Sequence, residues 1–299
     1  MKKLLFIGCN YDQLPYLLEI NRKKYQIFGT DINPDAPGVK YCDKFYNIGY
    51  DNYKGLKELG IKEGFKADDM VFTASAQFAN KGAAYFANEF QIEYPLEKNI
   101  DICLNKNLYY KHFDLLGVPI PETKIIKDKK GFLMENKNLD NRFFYYLKSD
   151  FSKNPKYVYK FSPKSVNADD IFWGRDRYLR NNYVLQKEFV GEALRINMFG
   201  DRFNVFQFEP LKKLNKKKAE IKEHKIDKHL LSFISNLNLN KWLIKFDIIF
   251  DGNCFVVLDV GLDPPSRMVE LSKNQNINFA KFYIKQYLCN KIEYPLSLD

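Results

Sequence analysis

Two apolar strands separated by one short helix open the chain, and this unit limits the available folds more than any other feature. Residues 3–8 (KLLFIG) read as a buried strand, 13–21 as a short helix and 26–31 (QIFGTD) as a second strand. Strands joined in this way form the βαβ unit of a parallel sheet. A further unit follows, with residues 54–59 helical, 69–74 (DMVFTA) a strand and 76–89 a helix, so the first hundred residues make one α/β lobe. A dinucleotide fingerprint would need three glycines after the first strand, and Gly8 stands alone in GCNYDQ. Asp31 imitates the ribose-binding acid of such sites without the glycines that would complete one.

A chain of 299 residues buries roughly three quarters of its unfolded surface and needs no disulfide or metal to hold a core, so two or three compact lobes are expected. Cys9, Cys42, Cys103, Cys254 and Cys289 are odd in number, widely spaced and never in a C-x-x-C pair. Neither a disulfide framework nor a zinc site is suggested, and a reducing cytoplasm fits best. No segment approaches about 18 consecutive apolar residues, so neither a membrane span nor a secretory signal is expected. The net charge of +10 suits nucleic acid, an acidic ligand or a lysine-rich surface. The densest basic run, 212–218, lacks the interleaved aromatics of a single-strand binding groove, which disfavours nucleic acid and leaves a solvated loop or one that meets phosphate.

Pro95 and the polar stretch 97–101 mark a lobe boundary, and residues 104–116 have helical spacing that ends at Gly117, before Pro119 and Pro121. Residues 123–156 are polar and lysine-rich and carry no clear period. Strands are predicted at 157–161, 183–189, 194–199, 203–208, 243–250 and 254–260, with helices at 228–236 and 278–288, which makes the last lobe a largely antiparallel sheet.

Two features point to charge chemistry. Lys160 lies inside an apolar strand, YVYKF, where a buried ammonium would need an anion to face it. Asp247 and Asp259 each sit in an apolar strand, on either side of the turn Asp251-Gly252-Asn253, and buried carboxylates there need a cation. With three loop residues Phe250 pairs with Cys254, Asp247 lies opposite Val257, and Asp259 is its diagonal neighbour on the same face. A two-residue turn would send the two acids to opposite faces.

The order of four segments carries a resemblance: FGTDINPDAPGVKYCDKFY (28–46), NKNLYYKHFDLLGVPIPET (105–123), VLQKEFVGEALRI (184–196) and IKFDIIFDGNCFVVLDVGLDPPSR (244–267). Together they resemble the ATP-grasp superfamily, in the branch of biotin carboxylase, the carbamoyl phosphate synthetase large subunit and small amino-acid ligases. The resemblance implies an α/β (α+β) ATP-grasp fold with a Rossmann-like pre-ATP-grasp lobe at 1–98, a small ATP-grasp lobe at 99–185 and a C-terminal lobe with the metal and catalytic residues at 186–299. It implies ATP and Mg²⁺, and an ADP-forming ligase that activates a small carboxylic acid, amino acids among the candidates, and passes it to an amine. Its partners are then small-molecule carboxylate and amine substrates, with neither membrane nor nucleic acid, and with a homodimer left open. A ligase of purine or carbamoyl phosphate type using bicarbonate is disfavoured by the room left for further domains. A degenerate nucleotide sensor or scaffold is the alternative.

The resemblance also implies roles for residues. Lys106 would reach ATP phosphate, and Lys160 would be the second phosphate lysine, with Lys148 in YYLKSD the competitor. The glycine-rich loop expected after that strand reads SPKSVNADD (162–170), without glycine, so Ser162, Lys164 and Ser165 would contribute side chains instead. Lys187, Glu188, Val190 and Glu192 would run along adenine and ribose, and Arg195 would pair with the transferring phosphate or a substrate carboxylate. Asp247 and Asp259 would hold Mg²⁺. Where the family carries an asparagine ligand this chain has Gly261, which leaves Asp263 as a substitute donor for a second ion, and Arg267 would clamp the carboxylate.

Overall fold

A computed structural model describes residues 1–75, 77–150, 158–172, 182–199, 206–208, 227–239, 242–264, 269 and 278–289. The elements run β1 Lys2–Ile7, α1 Leu14–Leu18, β2 Tyr25–Thr30, β3 Lys44–Tyr46, α2 Tyr53–Glu63, β4 Met70–Thr73, α3 Ala79–Glu89, α4 Glu97–Leu104 and α5 Lys106–Leu115. They continue with β5 Thr123–Ile126, α6 Lys129–Asn136, β6 Tyr145–Ser149, β7 Val158–Phe161, α7 Ala168–Phe172, β8 Tyr183–Lys187 and β9 Glu192–Phe199. The last are β10 Phe206–Phe208, α8 Lys228–Asn236, β11 Leu243–Phe250, β12 Phe255–Gly261 and α9 Phe279–Cys289.

Three four-stranded sheets result. The first has the order β3-β2-β1-β4 and is parallel throughout, as the βαβ opening requires. Its Leu4, Phe6, Ile27 and Phe72 are buried, and the late helix α9 returns to cover one face, with Tyr283 edge-on to Tyr16 at 5.7 Å. The Asp31 carboxylate accepts from the backbone N–H of Cys9 at 2.7 Å and of Asn33 at 2.9 Å, which ties the loops after β1 and β2.

The second sheet, β5-β8-β6-β7, is antiparallel; β7 and β8 are strands expected from the sequence, and β5 and β6 lie in the stretch that shows little period. Its far face packs Tyr145, Leu147 and Phe161 on Phe132 of α6 and Ile171 of α7. The third, β10-β9-β11-β12, is also antiparallel, and α5 and α8 cover one face of it. There Phe113 of α5 stacks against Phe233 of α8 at 4.6 Å and Phe246 of β11 at 6.3 Å, a buried cluster whose truncation at Phe113 would cost about 3–5 kcal/mol.

The helix expected over 104–116 is α5, which starts two residues later, and a further helix, α4, occupies the polar stretch 97–101 read as a lobe boundary. Asn105 separates the two: its extended backbone ends α4, and its side-chain oxygen accepts from the N–H of Asn107 and Leu108 to cap α5. Lys106 therefore occupies the first turn of α5. Gly117 at φ 69° ends that helix, a left-handed position that favours glycine.

Candidate functional site

The β11–β12 hairpin differs in register from the sequence expectation. Phe250 pairs with Phe255 rather than Cys254, because Asp251 accepts from the N–H groups of Asn253 and Cys254 and holds a four-residue loop, 251–254. Continued without interruption, that register would set Asp247 opposite Leu258 and turn Asp259 to the other face. A β-bulge at Leu258 corrects it: Ile248 pairs with Val257, and Asp247 with Asp259. The acids are direct cross-strand neighbours, a pairing in which Cβ atoms generally stand about 4.5–5.5 Å apart.

Helix α5 pins the bulge. Tyr110 donates its hydroxyl to the Leu258 carbonyl at 2.6 Å, and Tyr109 donates to Asp259 Oδ1 at 2.9 Å. Lys106, Tyr109 and Tyr110 stand at i, i+3 and i+4, so one helix face carries all three. Burial raises both tyrosine pKa values, with the Asp259 charge adding to it, so the phenols remain donors at neutral pH.

On the other side of Asp247 lies Arg195 of β9, its register partner. The guanidinium is bidentate on the carboxylate, Nε to Oδ1 at 2.5 Å and Nη2 to Oδ2 at 2.8 Å. Arg195, Asp247 and Asp259 thus form one row across three strands.

The second sheet contributes Lys148. In β6 buried and half-buried residues alternate, which puts Tyr146 and Lys148 together on the face away from the α6–α7 core. The Lys148 ammonium donates to Gln186 Oε1 at 2.6 Å, and the same oxygen accepts from Tyr110 at 3.3 Å. Burial lowers the Lys148 pKa to about 8; the Asp259 carboxylate opposes that shift and the Lys106 ammonium adds to it. Lys106 is itself buried, at 4% exposure. One continuous set of contacts therefore runs from β6 through Gln186 and α5 to the two acids.

Lys160 has different surroundings from those expected of a buried strand lysine. It is exposed, lies opposite Tyr146 on β7, and is paired with Glu188 at 2.5 Å over the Phe144 ring. The reason is that β7 is an edge strand with only its Phe161 side chain buried. The glycine-free stretch 162–170 follows that edge strand; the loop after Lys148, at 151–157, lies outside the described residues.

Lys187, Glu188, Val190 and Glu192 form the exit from β8 into β9, the link between the second and third sheets. Lys187 lies over the Phe143 ring at 3.5 Å, Glu188 accepts from Tyr146 at 3.0 Å, Val190 is 78% exposed, and Glu192 starts β9 opposite Phe250. Arg267 and the lysine run 212–218 lie outside the described residues. The sequence reading missed Gln186, Tyr109 and Tyr110 and ranked Lys148 second. The tyrosines stand one helical turn from Lys106, and Tyr145-Tyr146-Leu147-Lys148-Ser149 has the two-residue period of a strand, signals that were present.

No protein-family model and no curated protein sequence matches the chain. Solved structures do. The MgADP- and bicarbonate-bound biotin carboxylase domain of the Hydrogenobacter thermophilus 2-oxoglutarate carboxylase aligns with TM-score 0.75 at 15% identity, over 98% of this chain and 71% of that one. The chain has the ATP-grasp fold. An L-amino acid ligase from Bacillus licheniformis (TM-score 0.70, 14% identity, 96% of this chain and 74% of that one) shares this ATP-grasp architecture. So does phosphoribosylglycinamide synthetase from Anaerococcus prevotii (TM-score 0.70, 13% identity, 96% and 75%).

The carboxylate pair fits a divalent cation. Mg²⁺ commonly takes one or two carboxylates and completes its shell with phosphate oxygens and water, and Asp247 and Asp259 provide such a pair. Among the described residues no group of three or more His, Cys, Asp or Glu side chains gathers as a metal cage, and none of the helices is long and apolar enough to cross a membrane.

Proposed function

We propose that this chain is an ATP-dependent, ADP-forming carboxylate–amine ligase that binds the ATP phosphates between Lys106, Lys148 and the Asp247–Asp259 pair. The observation that carries the reading is the run of contacts from Lys148 through Gln186 and Tyr110 to the Leu258 bulge, with Tyr109 on Asp259, which brings β6, the helix of Lys106 and the paired acids onto one site. Two ammonium groups beside a carboxylate pair suit a polyphosphate with its cation. A lysine whose pKa is lowered to about 8 by burial regains stabilisation when a phosphate arrives.

Phosphoryl transfer asks mainly for positioning and charge. Lys106 and Lys148 act as point charges on the phosphate oxygens, and Arg195 fixes the orientation of Asp247 through its two parallel bonds. Mg²⁺, held by Asp247 and Asp259, would neutralise charge on the phosphates. A carboxylate oxygen of the substrate attacks the terminal phosphorus as the bond to ADP breaks; an amine then attacks the acyl carbon and phosphate leaves. Glu188, Val190 and Glu192, on the link between the sheets, are assigned to adenine and ribose, and Arg267 to the carboxylate. The carboxylate is a small acid, with amino acids first to be tried, and a reducing compartment suits the free thiols of Cys9 and Cys42.

ADP release measured over a matrix of amino acids and amines tests the reading. ADP formation that requires one carboxylate–amine pair supports it; nucleotide binding without ADP formation for any pair favours a sensor.

A further inference from the structure

The charged face of the third sheet has a second row, two residues along each strand from Arg195, Asp247 and Asp259. It consists of Asn197, Lys245 and Gly261, which are register partners. Lys245 lies flat along this row. A Cβ built on Gly261 would stand 2.4 Å from Lys245 Cε and 3.1 Å from its Cγ, so the lysine stem occupies the space any side chain at 261 would need. The stem ends in an ion pair, Nζ to Asp263 Oδ2 at 2.5 Å, with the two side chains only 14% and 20% exposed. Asp263 Oδ1 is buried and has no hydrogen-bond partner among the described residues.

Gly261 is therefore more than a position without a donor. A side chain there would displace the flexible end of Lys245 from this path, and with glycine at 261 the cationic side chain crosses the row. Asp263, the carboxylate left to a second metal ion, is ion-paired with that side chain; Asp247 is likewise paired with Arg195 but has Asp259 as a direct cross-strand partner, a second carboxylate that Gly261 does not provide. A divalent ion placed on Asp263 would also sit beside an ammonium, with Gly261 offering no oxygen from a side chain.

We propose that Lys245 supplies, as a tethered ammonium, the positive charge that a second divalent ion would bring to the polyphosphate, and that the site loads one divalent ion per nucleotide. This rests on the reading of the site as an ATP site. An ammonium has three donors, and Asp263 takes one, which leaves capacity for phosphate oxygen. The device fixes a cation by covalent attachment, so its occupancy is independent of the metal concentration.

The test counts Mn²⁺ by electron paramagnetic resonance on the full chain with a saturating non-hydrolysable ATP analogue. Wild type is expected to bind one Mn²⁺ per bound nucleotide up to millimolar metal. Lys245→Ala is expected to bind two, because it opens the space above Gly261 and releases the Asp263 carboxylate. Circular dichroism of the same samples reports that the variant is folded, and Lys245→Ser replaces it if it is not. Two ions in wild type, or one ion in wild type and in the folded variant, overturn the proposal. A wild type with no nucleotide-dependent Mn²⁺ at all overturns the ATP reading instead, so the two failures are distinguishable.

Discussion

The hydroxyl of Tyr110 donates to the carbonyl of Leu258 at 2.6 Å, tying the helix that carries Lys106 to the bulge that turns Asp259 toward Asp247. Without the bulge the hairpin register would set the two acids on opposite faces. Tyr110→Phe keeps the ring in its cluster and removes the tie. Stability should fall by about 1–2 kcal/mol, read from the urea midpoint. Turnover should fall tenfold or more with little change in ATP affinity, because Asp259 loses its fixed position. Unchanged turnover in a destabilised Tyr110→Phe would make the tie purely structural.

The two candidate lysines separate by affinity. Lys148→Met should weaken ATP and ADP binding by tenfold or more and AMP binding much less, since the contact is to the outer phosphates. Lys160→Met should change ATP affinity less than about twofold, because its exposed ammonium is paired with Glu188 at the surface of an edge strand. Calorimetric titration of the three nucleotides against both variants checks this, and a reversed order would return the phosphate role to Lys160.

The Lys148 proton gives a pH signature. Its pKa is lowered to about 8 in the nucleotide-free fold, below its usual value in an unfolded chain, so folding disfavours the charged form. The penalty is present in full below pH 8 and is lost as pH rises from 8 toward the unfolded value, where the unfolded state binds more protons. The stability of wild type relative to Lys148→Met should therefore rise between pH 7.5 and 10. ATP affinity should move the opposite way, falling above pH 8 in wild type and staying flatter in Lys148→Met. A difference in stability that is constant across that range would mean the lysine is not buried in its charged form.

The fold was largely legible in the sequence. The parallel opening followed from its apolar runs, and the ATP-grasp fold from the order of motifs; Asp247 and Asp259 were singled out as acids inside apolar strands. Lys106 followed from the resemblance alone. The register did not: a bulge at Leu258 depends on Tyr110, which lies 148 residues away, and no local pattern in 243–261 marks it. Lys160 drew attention because it lies inside the apolar run YVYKF, yet β7 is an edge strand, and edge position is a property of the sheet rather than of the segment. Lys245 was passed over because its partner, Asp263, lies beyond the hairpin, and its path over Gly261 exists only once the strands are paired.

Asp259→Asn tests the metal-bearing row. The change is isosteric, and Tyr109 can still donate to the remaining oxygen, so the fold should persist. Turnover should fall by at least about a hundredfold, in line with removing a charged ligand from a phosphoryl-transfer site. Circular dichroism and the thermal midpoint check the fold, and initial rates of ADP formation check the role.

The most direct measurement follows oxygen. With a carboxylate substrate labelled with ¹⁸O on both oxygens, activation as an acyl phosphate moves one labelled oxygen onto phosphorus, and capture by the amine releases it in inorganic phosphate. Mass spectrometry of the phosphate should show one ¹⁸O per molecule released, in amounts equal to ADP and abolished in Asp259→Asn. Phosphate without label, formed at the same rate with and without the carboxylate, would mean hydrolysis by water and would contradict carboxylate activation at this site.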